Sequence, residues 1–193
     1  SIMMIACFMP TMAFAEGPVA EDVDATLEIV PVKVGETKVT PEAQALAVNA
    51  DKDAEVKITY EVFINPKAEV KLTEVKFKFV PLDGMNLTTT EGETTGYKLE
   101  SVANEWNATY SDSTYTLTGG DGKTKNISTK TKLMTIVATI GGDATFPPGM
   151  LSVVTEGEGA DKLTVKKWND SDESGSAVAA MATVEATTVT LTR

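Results

Sequence analysis

Between residues 55 and 64 two interleaved rows run along the chain: Val56, Ile58, Tyr60, Val62 and Ile64 in one, and Glu55, Lys57, Thr59, Glu61 and Phe63 in the other. A period of two marks an extended strand that buries one face and wets the other, because successive side chains point to opposite sides of a pleated backbone. A helix, at about 3.6 residues per turn, would scatter the apolar row around its circumference. Asn65-Pro66-Lys67 closes the segment with turn chemistry. The pattern then returns, with Val75, Phe77 and Phe79 against Glu74, Lys76 and Lys78, and it ends at Pro81-Leu82-Asp83-Gly84. Consecutive strands usually neighbour one another, so these two are expected to pair or to lie close.

Strand signals continue along the rest of the chain. Residues 97–102, 106–110 and 114–118 predict a meander closed by Gly119-Gly120-Asp121-Gly122. The apolar and β-branched run at 133–140 predicts a central strand buried on both sides. Gly141-Gly142-Asp143 ends it, and Phe146-Pro147-Pro148-Gly149 makes a stiff loop. Residues 150–154, 163–168 and 183–192 complete the set, with 26–34 and 44–48 as earlier strands. Only 41–48 and 176–181 carry helical propensity, and neither is long enough for more than a turn. Short strands punctuated by Gly, Asn, Asp and Pro define an all-β fold, an antiparallel β-sandwich of jelly-roll type with about nine strands. There is no internal repeat, coiled coil or long linker.

The first residues have a different logic. An apolar run at 2–8 is broken by Pro10 and followed by Ala13-Phe14-Ala15, small residues where a signal peptidase reads, and then by Glu16. This is the second half of a secretory signal peptide whose charged start is clipped. The run is too short for a membrane span, which needs about 20 apolar residues. The expected organisation is therefore a signal peptide at 1–15 cleaved after Ala15, an acidic leader at 16–25, and one β-sandwich domain at 26–193. Met4-Ile5-Ala6-Cys7 offers a second reading as a lipidation box, against which Phe8, Met9 and Pro10 stay apolar. Ordinary cleavage would remove the chain's single cysteine, and secretion without disulfides suits a Gram-positive-like bacterial surface protein. In so threonine-rich a chain the Asn-x-Ser/Thr sequons at Asn86, Asn107, Asn126 and Asn169 carry no weight. The clipped start and the end at Arg193, directly after a strand, suggest a piece of a longer reading frame.

Charge and composition exclude whole classes of activity. A formal net charge of −11 argues against nucleic acid and against anionic membrane surfaces. The chain has no histidine, which removes Ser-His-Asp and Cys-His catalysis and the commonest metal ligand. Some pair among its 28 acidic residues must fall at glycosidase spacing, but none sits in a recognisable motif or an apolar setting. No glycine-rich loop leads from a strand into a helix, so nucleotide binding has no support. The chain is read as a non-enzyme.

Two groups of residues are candidates for binding. Asn49, Asp51 and Asp53 alternate in one loop, and Asp170, Asp172 and Glu173 cluster in another, a way to present oxygen to calcium. Counted from Asn49, however, the positions that an EF-hand gives to glycine and glutamate hold Ala54 and Tyr60, so the motif fails. These residues read as solvated turn positions with calcium as the lesser alternative, and no cofactor is expected. The second group is aromatic: Trp106, Tyr110 and Tyr115, with Tyr97 just before and Trp168 far downstream. Trp106 and Tyr110 are an even number of residues apart and share a strand face, which suits core packing or a stacking strip for sugar rings.

Three segments carry a family resemblance. The strand EVKITYEVFI at 55–64, the strand-to-turn segment VKFKFVPLDGMNL at 75–87, and LMTIVATI at 133–140 before Pro147-Pro148-Gly149 resemble the cohesin and carbohydrate-binding-module superfamily of clostridial surface proteins. The resemblance spans 44–191 in outline. It implies a jelly-roll sandwich that binds through one sheet face or its end loops, with a dockerin-like module as protein partner. The expected function is a cohesin-like extracellular interaction module, secreted or at the cell surface. The alternatives are a carbohydrate-binding module that meets polysaccharide through Trp106, Tyr110, Tyr115 and Trp168, and a spacer domain of an adhesin or surface layer.

Overall fold

A computed structural model describes residues 22–40, 44–89, 106–119, 125–156, 162–171 and 176–193. Within them the chain forms β1 (Ala25–Val34), β2 (Thr37–Lys38), β3 (Ala45–Asn49), β4 (Val56–Pro66), β5 (Leu72–Phe77), β6 (Phe79–Val80) and β7 (Met85–Thr89). There follow β8 (Asn107–Ser111), β9 (Thr114–Thr118), β10 (Thr131–Ile140), β11 (Ser152–Val153), β12 (Thr164–Trp168), β13 (Ala177–Ala180), β14 (Ala182–Ala186) and β15 (Thr188–Thr192). They make a six-stranded sheet in the order β14-β1-β4-β10-β7, with β2 on β1, and a five-stranded sheet in the order β13-β12-β5-β9-β8. Short pairs β11-β6 and β15-β3 finish the assembly. The fold is the all-β sandwich expected from the sequence.

The alternation in β4 does what its period requires. Ile58, Tyr60, Val62 and Ile64 are buried, and with Leu27, Ile29, Ile136, Ala138 and Ile140 they form one wall of the core. Leu72, Val75, Phe77, Tyr115, Leu117 and Val165 form the other wall, and all belong to one cluster. Each large side chain so buried contributes about 1.5–3 kcal/mol. The register of β10 against β4 shifts between Lys132 and Met134, so Leu133 and Met134 both turn inward. A second shift falls on β1 between Pro31 and Lys33, beside a proline that has no N–H to give a ladder.

Four expectations from the sequence need correction. Strands β4 and β5 do not pair. They lie in opposite sheets, each burying its own apolar row, and the link between them carries a turn with Glu69 at φ 69°. Strand β10 is central in its sheet but not buried on both sides, since Thr135, Val137 and Thr139 on its second face are only half-buried. The segment 183–192 is not one strand: it breaks at the buried Thr187, leaving β14 parallel to β1 and β15 parallel to β3. The sandwich is therefore mixed rather than purely antiparallel. Finally, the alanine-rich stretch at 176–181 spends its backbone groups on β12 as strand β13 rather than on a helical turn, so tertiary pairing overrides propensity. The 44–48 region holds strand β3, and of 150–154 only Ser152–Val153 is assigned as strand, β11.

The signal peptide with Ala13, Ala15 and Cys7 lies outside the described residues, as do the leader as far as residue 21, the strand expected at 97–102, Asp172 and Glu173.

Candidate binding face

The outer face of the five-stranded sheet is built by the same alternation that fills the core. Val75 and Phe77 point in, so Glu74 and Lys76 point out; Tyr115 and Leu117 point in, so Thr116 and Thr118 point out. Val165 is buried between Thr164 and Lys166. The registers then assemble two ranks that cross four strands. One rank is Lys166-Glu74-Thr118-Asn107 and the other is Thr164-Lys76-Thr116-Thr109. Strand spacing makes the grid about 14 Å wide, with ranks about 7 Å apart.

Its polar groups are mostly uncommitted. Lys166 Nζ lies 2.9 Å from Glu74 Oε1, and Thr164 donates to the Lys162 carbonyl at 3.1 Å. Lys76 has no carboxylate partner among the described residues, and Thr109, Thr116, Thr118 and Asn107 make no side-chain hydrogen bond there. A flat rank of hydroxyls, an amide and an ammonium can donate to and accept from a protein surface laid over it, the polar chemistry that supplies direct hydrogen bonds in interfaces. The sequence placed Glu74 and Lys76 on the row opposite Val75 and Phe77. It did not show the cross-strand register that brings the threonines beside them.

The outer face of the six-stranded sheet is also polar, but several of its charged and amide groups bond one another. Glu28 accepts from Asn65 Nδ2 at 3.0 Å and from Lys130 Nζ, whose ammonium lies 4.9 Å from the Phe63 ring centroid. Lys132 and Glu61 pair at 3.2 Å, and the hydroxyls of Thr26 and Thr183 are 3.4 Å apart.

The aromatic candidates do not share one surface. Tyr115 is buried and stacks on Phe77 with ring centroids 5.4 Å apart, and Phe79 meets both edge-on. Tyr110, 39% exposed, leans on Tyr115 at 4.7 Å from the core-facing side of the β8–β9 hairpin. Trp106 is half-buried just before β8, and its Nε1 has no partner among the described residues. Its ring packs so close to Gly119 that a Cβ there would lie 2.7 Å from Trp106 Cε2. Trp168 ends β12, which β5 and β9 separate from β8.

Among the described residues no group of three or more Asp, Glu, Cys or His side chains could hold a metal ion. Asn49 ends β3. In the loop that follows, the carbonyl oxygens of Asp51 and Ala54 face Nη1 of Arg193 at 3.4 and 2.6 Å, while its Nη2 reaches the Gly141 carbonyl at 2.6 Å. Asp53 holds a left-handed turn position at φ 65°, and Asp170 pairs with Lys71 at 3.1 Å.

A buried carboxylate fastens the two sheets together. Asp24, just before β1, accepts from Lys167 Nζ on β12 at 2.5 Å and from the Met181 N–H at 2.9 Å. Burial alone would raise its pKa, but these two donors outweigh burial and hold it below the ordinary carboxylate value.

No family model and no curated protein matches the chain. Solved structures do. The seventh ScaB type I cohesin from Pseudobacteroides cellulosolvens superposes with a TM-score of 0.53 over 88% of this chain and 93% of that one, at 11% identity. A type III cohesin module from the cellulosomal ScaE cell-surface anchoring scaffoldin of Ruminococcus flavefaciens gives 0.50 over 92% and 94%, at 17% identity. The fold is that of the cohesin β-sandwich.

Proposed function

We propose that this chain is a non-catalytic, extracellular protein-interaction module of cohesin type, which docks a dockerin-like partner on the outer face of its five-stranded sheet. The observation that carries the choice of face is the pair of ranks with unspent hydrogen-bonding groups, Lys166-Glu74-Thr118-Asn107 and Thr164-Lys76-Thr116-Thr109. The cohesin-like fold supports a protein partner of dockerin kind. A flat sheet suits such a role, because ladder-held strands keep their shape on docking and little order is lost. Nothing in this role requires a reacting group, which agrees with a chain that has no histidine.

The test is a binding array of dockerin modules of the different cohesin-matched types, measured against the immobilised chain. At least one should bind with a Kd below about 1 μM. Thr116→Arg or Thr118→Arg should abolish that binding, whereas Thr135→Arg on the opposite sheet should leave it unchanged. Binding lost through Thr135→Arg alone would place the partner on the wrong face, and an array with no binder would remove the dockerin reading.

A further inference from the structure

We propose that the binding face selects a partner that presents a carboxylate to Lys76, so that the docking surface on the other side is acidic at that point. The inference rests on the choice of face made above, and it names the chemistry that the face reads. The chain as a whole carries a net charge of −11, so most of its surface repels acidic proteins. This face carries more lysine than carboxylate on its outer rows. Along β5 and just beyond it Glu74, Lys76 and Lys78 follow one another on the outer side, with Lys166 beside them on β12. Glu74 is already neutralised by Lys166 at 2.9 Å. The ammonium of Lys76 has no carboxylate partner among the described residues.

Its row neighbours make that charge directional. Thr164 and Thr116 flank Lys76 across the sheet and Thr109 follows, none of them ionisable. A carboxylate set over Lys76 would take one hydrogen bond from the ammonium and another from a threonine hydroxyl, and charge-assisted bonds of this kind are the strong ones. A basic group in the same place would meet repulsion at Lys76, while the net negative charge of the chain would favour it elsewhere. Electrostatic arrangement of this sort decides register and partner choice more than raw affinity. Lys76 is half-buried, so its stem is ordered before a partner arrives.

The probe is a pair of helical peptides of equal length, one with Asp and Glu along one face and the other with Asn and Gln in their place, titrated into the isotope-labelled chain by NMR. The acidic peptide should bind at least tenfold tighter and move the amide signals of Lys76, Thr116 and Thr164. The preference should vanish in Lys76→Gln and reverse in Lys76→Glu. Equal binding of the two peptides, or shifts confined to the six-stranded sheet, would overturn the proposal. The dockerin array separates it from the reading beneath it. A module that is lost through Thr116→Arg but indifferent to Lys76→Glu would keep the docking face and sink the carboxylate preference. An array without binders, beside an acidic peptide seated at Lys76, would sink the dockerin assignment and uphold the preference.

Discussion

The two sheets of this sandwich solve the same problem in opposite ways on their outer faces. Each has an apolar inner row and must present something polar to water. The six-stranded sheet pairs its polar groups with each other: Glu28 with Asn65 and Lys130, Glu61 with Lys132, Thr26 with Thr183. On its two ranks the five-stranded sheet pairs Glu74 with Lys166 and Thr164 with a main-chain carbonyl, and among the described residues it leaves Lys76, Thr116, Thr118 and Thr109 without a side-chain partner. A face whose groups are satisfied internally offers a partner little, because every new bond must first break an old one. A face whose groups are satisfied only by water can exchange that water for protein at small net cost. The difference between a wall and the proposed docking surface here lies in commitment rather than in polarity.

The sharpest way to break the comparison is to remove what both faces stand on. Ile58→Asp or Ile136→Asp would bury an unpaired charge in the shared core, and we expect loss of folding, about 4 kcal/mol or more, seen as loss of the cooperative transition in circular dichroism. Next comes the fastening between the sheets. Asp24→Asn should cost about 1–2 kcal/mol in urea unfolding at neutral pH. Since the folded pKa of Asp24 is lowered, its contribution is present above the unfolded carboxylate value and fades as pH falls through the folded one. Wild type and Asp24→Asn should therefore converge in stability below about pH 4.

Smaller effects separate the faces themselves. Glu28→Ala strands both Asn65 and Lys130 and should cost about 1 kcal/mol, whereas Glu74→Ala frees one partly exposed lysine and should cost under about 0.5 kcal/mol. Equal costs, measured by urea unfolding, would undo the distinction between committed and uncommitted faces. The smallest change is Tyr60→Phe. The buried hydroxyl has no hydrogen-bond partner among the described residues, and burial pushes its pKa up. Its removal should be neutral or stabilise by up to about 1 kcal/mol, and a clear loss in thermal melting would reveal a partner for that hydroxyl.

The fold was legible wherever one strand's own pattern decided the matter. The rows of β4 and β5 pointed the right residues inward because a period of two is local information. Pairing is not local. Nothing within residues 55–79 says that β4 and β5 belong to different sheets, nor does the run at 183–192 reveal that Thr187 moves the chain from β1 to β3. The candidate binding face shares that property: Lys76 could be placed outside from its neighbours in sequence, but its flanking threonines come from β9 and β12. Alternation also could not separate the two readings of Trp106 and Tyr110, because an even spacing gives a shared side without saying which side is wet.

The parallel pairing of β1 with β14 has a mechanical meaning. Tension applied between the residue before β1 and the residue after β14 would pull the two strands along their length in opposite directions. The hydrogen bonds from Ala25–Ala182 to Ile29–Ala186 would then share the load in shear, where an antiparallel hairpin would open one rung at a time. Such a joint is weak to nibbling at its edge and strong to being towed.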